Sequence, residues 1–100
     1  MNAAISRRAQ QDLLEIVARI KAENPFAAQK LVKELYRKFK LLAFEPGIGS
    51  QTRNKNVRVL PIKRRYKVIY SSPPPCLIIR RVIHSARHWP EAALPDRTDQ

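Results

Sequence analysis

The chain has 100 residues, with 20 Lys and Arg against 8 Asp and Glu, for a formal net charge of +12. That length holds one domain with a modest core and excludes a second. The single cysteine, Cys76, excludes an internal disulfide, and no apolar run reaches the ~18 residues of a membrane span or follows a basic leader, so a soluble cytoplasmic protein is expected.

The first segment, "NAAIS", is short and uncharged and is read as a brief strand. Ser6 then suits a helix N-cap, and Ala9, Leu13, Ile16, Val17 and Ile20 recur at helical spacing up to about Asn24. At Asn24–Pro25 one helix stops and another starts. The residue before proline disfavours helical backbone, while Asn caps and Pro suits the first helical position. In the second helix Ala28, Leu31, Leu35, Phe39 and Leu42 form one apolar stripe, widened by Val32 and Ala43, ending near Glu45 before Pro46 and Gly47. Two helices joined this tightly are expected to form a hairpin whose stripe is core.

"PGIGSQTRNKN" (46–56) reads as a loop. After it the period changes from 3.6 to 2. "VRVLPI" (57–62), "YKVIYS" (66–71) and "CLIIRRVIH" (76–84) read as three successive antiparallel strands, the last turn restricted by Pro73, Pro74 and Pro75. The expected fold is α+β, with a helical hairpin packed on a small antiparallel sheet in the order β-α-α-β-β-β. It forms a single domain over 1–90 with a polar tail at 91–100. Strict alternation in the last strand places Leu77, Ile79, Arg81 and Ile83 on one face and Cys76, Ile78, Arg80, Val82 and His84 on the other. Neither face is clean, so apolar groups on the side away from the helices are expected to await a partner.

The charge is unevenly placed. Residues 1–45 sum to +4 and the last ten to −2, whereas 46–90 sum to +10 with no acidic residue between Glu45 and Glu91. Such a block repels itself unless an anion binds there; nucleic acid and an acidic protein segment meet that need equally. A merely solvated basic face is the plainer reading, and the sign asymmetry weighs against it. Arg81 and Arg87 are the better anchors, because a planar guanidinium holds carboxylate or phosphate through two donors. Trp89 either packs the tail onto the sheet or serves an interface. The turn "KRR" (63–65), with Arg65 its last residue, is expected to be exposed. An imidazole such as that of His84 suits acid or base chemistry, but with no carboxylate nearby in sequence a hydrogen-bonding role at a strand end is the stronger reading. His84, His88 and Cys76 do not have metal-ligand spacing, and neither a metal nor a cofactor is expected.

Five segments in order, "IS.RAQQDLLEI", "NPFAAQKLVKEL", "LLAFEPGIG", "VRVLPI..RYKVIY" and "IRRVIHSARHW", together resemble the RelE/ParE superfamily of bacterial toxin–antitoxin modules over roughly residues 3–89. The resemblance implies the α+β fold already read, an antitoxin that wraps the toxin, and one of two activities: inhibition of DNA gyrase in the ParE-like branch, or cleavage of messenger RNA on the ribosome in the RelE-like branch. For RelE-like cleavage it implies basic residues at alternate positions of the second strand, an arginine on the third, an arginine after the fourth and a late tyrosine. Here Arg58 matches, but Leu60 stands at the second basic position, Lys67 at the arginine of the third strand and Arg87 after the last; no tyrosine follows Tyr70. The ending "RVIHSAR" resembles the ParE-like branch. The expectation is therefore a non-enzymatic, gyrase-directed toxin that meets antitoxin or target through Arg58, Arg65, Arg81, His84, Arg87 and Trp89. The alternative is an endoribonuclease using His84, Arg87, Arg58 and Lys67, with His88, Tyr66 and Tyr70 also in reach of such chemistry.

Overall fold

Ser6 ends one element, begins the next and ties both to a third. Its hydroxyl accepts from the Ala9 amide at 3.1 Å, capping a helix, and donates to the Arg80 carbonyl at 3.0 Å, while its own amide donates to the Ile79 carbonyl at 2.9 Å. The computed structural model describes residues 2–73 and 76–84. The order is β1 (Asn2–Ile5), α1 (Arg7–Glu23), α2 (Pro25–Phe44), a 3-10 turn (Pro46–Ile48), β2 (Ser50–Gln51), β3 (Arg58–Ile62), β4 (Tyr66–Ser71) and β5 (Cys76–His84).

One residue separates the two helices. Asn24 donates its amide to the Ile20 carbonyl at 2.7 Å, closing α1, and its side-chain oxygen accepts from the Ala27 amide at 3.1 Å, opening α2. It holds φ −152°, an extended backbone outside the helical region, as expected before Pro25. The apolar stripe of α2 is buried at the positions that 3.6-residue spacing requires: Ala28, Leu31, Leu35, Phe39 and Leu42. Truncating a fully buried leucine such as Leu42 to alanine should cost about 2–5 kcal/mol, the transfer term plus the cavity left behind.

The sheet order is β1-β5-β4-β3-β2; β1 runs parallel to β5 and the remaining pairs are antiparallel. The helices cover one face, where their stripe meets Ile62, Val68, Tyr70, Leu77, Ile79 and Val82. No helix among the described residues is long and apolar enough to cross a membrane.

Three expectations need correction. The segment 46–56 is not all loop: it holds the 3-10 turn and the two-residue β2, which pairs with Val59 and Arg58. Val57 lies just outside β3. The faces of β5 also differ from strict alternation. Ile69 pairs with Arg81 and Tyr70 with Ile79, so Arg80 is an extra residue opposite no β4 partner. A bulge of one residue reverses the parity after it. Leu77, Ile79 and Val82 consequently share the helix-covered core, while Ile83 joins Val57 and Ile69 in a second cluster, these three being 3%, 2% and 0% exposed. On that second face Val57, Ile69 and Ile83 are buried, while Val59 and Ile78 stay half-buried. Large exposed apolar side chains stand on and after the helices instead: Leu14, Phe26, Tyr36, Leu41, Phe44 and Ile48.

Candidate functional site

Arg58 opens β3 opposite Tyr70, on the helix-covered face with Leu60 and Ile62. Its Nη1 donates to the carbonyls of Gly49 at 2.7 Å and Gly47 at 3.4 Å. The Tyr70 hydroxyl donates to the Pro46 carbonyl at 2.7 Å and accepts from the Gly49 amide at 2.9 Å. Together the two side chains staple the turn between α2 and β2 to the sheet. Burial pushes the Tyr70 phenol above its ordinary range, against the opposing pull of the Gly49 amide and the Arg58 charge. Gly49 is required there by close approach: a Cβ would lie 2.5 Å from the Tyr70 hydroxyl, whereas one at Gly47 would meet nothing.

Arg81, expected to anchor a partner's carboxylate, holds a carboxylate of its own chain. Its Nε donates to Asp12 Oδ2 at 2.8 Å and its Nη2 to Oδ1 at 3.3 Å, while the Val82 amide donates to the same Oδ2 at 3.0 Å. Beyond Ile79, β1 gives no further partner to that edge of β5, and an aspartate on α1 supplies the acceptor instead. Arg8 adds a second, longer contact to Oδ1 at 3.6 Å. The bulge residue Arg80 is buried and donates from Nε to Ser71 Oγ at 2.9 Å. Asp12 escaped the sequence reading because a single acid on an amphipathic helix looks like solvated surface; its position on the buried side, three residues after Ala9, was the available signal.

Lys67 is half-buried, opposite Ile83 and Pro61, on the face away from the helices. Register therefore separates it from Arg58, which lies on the other face. His84 ends β5 opposite Tyr66, exposed, with the two rings edge to face at 5.5 Å. Tyr66 and Tyr70 are four residue steps apart on β4, about 13 Å of strand, so His84 and Arg58 stand at opposite ends of one face. Arg65 is exposed in the turn after β3. Arg87, His88 and Trp89 lie outside the described residues. Cys76 begins β5, half-buried, and no group of three potential metal ligands occurs among the described residues.

A groove of about 460 Å³ runs between α1 and α2 and is lined by Leu13, Leu14, Val17, Val32, Leu35 and Tyr36 among others. Leu14 and Tyr36 are 73% and 52% exposed, far more than helix positions facing a core.

This helical hairpin over a five-stranded sheet holds three arginines, Arg58, Arg80 and Arg81, whose guanidinium groups donate to acceptors of its own chain. A family model described as the ParE toxin of the type II toxin–antitoxin system parDE matches residues 3–89, and the chain belongs to that family. It is a type II toxin by that membership. Among solved structures, a chain of the chromosomal ParDE toxin–antitoxin system from P. aeruginosa is similar, with a TM-score of 0.73 and 23% identity over 84% of this chain and 95% of that one; at this identity it supports the fold. No curated protein matches.

Proposed function

We propose that this toxin acts by binding DNA gyrase rather than by cutting messages, and that a cognate antitoxin neutralises it through the α1–α2 groove. The observation that carries the first part is the division of the basic set. Arg58 is on the helix-covered face with its guanidinium committed to Gly49 and Gly47, Leu60 packs against the core, and Lys67 is on the opposite face. Cleavage of a phosphodiester needs groups within hydrogen-bond reach of one phosphate, and these residues do not converge on one. The ribonuclease reading keeps one observation in its favour, the exposed His84 beside Tyr66. The purified toxin should inhibit supercoiling while translated messages stay intact.

For the antitoxin, the groove suits an amphipathic helix whose apolar face covers Leu14 and Tyr36. The net charge of +12 favours acidic residues on its rim. Leu14→Asp and Tyr36→Ala should each weaken antitoxin binding by about 2 kcal/mol or more in calorimetry, as expected of central apolar anchors. Unchanged affinity in both would remove the groove from the interface.

A further inference from the structure

The basic turn Lys63–Arg65 takes no part in the contacts proposed above, yet it borders a cleft. A cavity of about 410 Å³, within the ~300–1,000 Å³ usual for small-molecule sites, lies between the α1–α2 junction and the β3–β4 turn. Lys30 from α2 and Lys63 and Arg65 from the turn line it. All three are exposed, and none has an ion-pair partner among the described residues. Behind them Ile20, Leu31 and Tyr66 form an apolar wall, and His84 meets the Tyr66 ring edge to face. Lys63 and Arg64 hold φ of 52° and 68°, the left-handed region that long side chains rarely occupy. Cationic residues therefore stand where Asn or Gly would fit with less strain, a pattern common at functional sites.

Three cations on an apolar, aromatic-backed cleft suit a ligand with an anionic group and a flat apolar part. We propose that this cleft binds a nucleotide, its phosphate against Lys63, Arg65 and Lys30 and its base against Leu31 and Tyr66. Glu23 separates this ligand from an acidic peptide. It lines the same cavity without an ion pair among the described residues, so its carboxylate is available to a base amino group or ribose hydroxyl but repels the further carboxylates of an acidic segment. A free nucleotide and the phosphate of a nucleic-acid strand share this chemistry. The inference rests on the cleft alone and stands whether or not gyrase is the target.

The test is a titration of the full chain, followed by NMR at the methyl groups of Ile20 and Leu31 and the ring of Tyr66. The probes are AMP, a short 5′-phosphorylated single strand and a glutamate-rich peptide. AMP should shift these signals saturably. Lys63→Ala and Arg65→Ala should each weaken binding about tenfold, the loss expected for a hydrogen bond to a charged group. Arg19→Ala and Lys40→Ala, which remove the same charge away from the cleft, should change it less than about twofold by the same scale. Tighter binding of the strand than of AMP would support a nucleic-acid source, and the reverse a free nucleotide. Silent Ile20 and Leu31 signals would overturn the proposal. Equal losses in the control variants, or displacement of AMP by the peptide at matched concentration, would overturn it as well.

Discussion

Asp12 and Arg81 lie 69 positions apart in the chain and meet through two hydrogen bonds, Nε to Oδ2 at 2.8 Å and Nη2 to Oδ1 at 3.3 Å. The same carboxylate accepts the Val82 amide, so one side chain closes both a charge and a strand edge. The Asp12 side chain is 7% exposed and that of Arg81 22%. Removing one partner of such a pair strands the other, which costs about 3–5 kcal/mol when burial is complete. Asp12→Ala should therefore lose roughly 3 kcal/mol in urea unfolding, less than the upper figure because Arg81 is partly solvated. Asp12→Asn keeps an acceptor for the Val82 amide and should lose less. Equal losses in the two variants would show that the charge carries the whole effect and that the acceptor for the Val82 amide contributes nothing.

The staple at the end of α2 gives a coupled prediction. Tyr70→Phe removes a hydroxyl that serves Pro46 and Gly49, and should cost about 1–3 kcal/mol because a buried carbonyl and amide lose their partner. Gly49→Ala drives a methyl against the same hydroxyl and should be destabilising, whereas Gly47→Ala should be near neutral. In a double-mutant cycle, Gly49→Ala should cost less in the Tyr70→Phe background. Additive effects would mean that contact with the ring, rather than the hydroxyl, sets the strain.

Alkaline stability follows from the same phenol. Its folded-state pKa is raised above the ordinary 10.0, chiefly by burial, so folding favours the protonated form. Below pH 10 this contribution is complete. As pH rises past that value the unfolded chain releases its proton first, the folded state binds more protons, and stability falls. Urea midpoints measured between about pH 9 and pH 11 should drop more steeply in the parent chain than in Tyr70→Phe. Parallel curves would contradict the assignment.

Much of this architecture is legible in the sequence because its signals are local. Ser6 and Asn24–Pro25 mark helix ends by chemistry that acts within three residues, and the stripe from Ala28 to Leu42 repeats often enough to identify a buried face. The bulge at Arg80 is not legible. Two adjacent arginines give no parity signal, and a one-residue insertion moves every later side chain of β5 to the other face. Contacts over long sequence separations are equally hidden: nothing near Arg81 in the chain indicates that Asp12 accepts from it, and nothing near Tyr70 points to the Pro46 carbonyl. Arg58 and Arg81, read as contact residues for a partner, have internal acceptors that their sequence neighbours do not reveal.

The β3–β4 turn should show a trade between stability and binding. Lys63 holds a left-handed φ of 52°, which asparagine tolerates better than lysine. Lys63→Asn should raise stability by about 0.5–1 kcal/mol through relief of backbone strain. Thermal unfolding measures the gain, and an unchanged or lower Tm would show that the lysine stem contributes packing that offsets it.

The central claim is that toxicity comes from gyrase and not from message cleavage, and the most direct measurement is supercoiling by purified gyrase in the presence of the purified toxin, with Lys67→Ala and His84→Ala variants alongside. The account predicts inhibition by the parent chain and by Lys67→Ala, because Lys67 and Arg58 occupy opposite faces and form no shared phosphate site. His84→Ala should weaken inhibition only in part, as a contact residue rather than a reacting group. Unimpaired supercoiling, with messages cut at translated codons by the parent and left whole by His84→Ala, would contradict it.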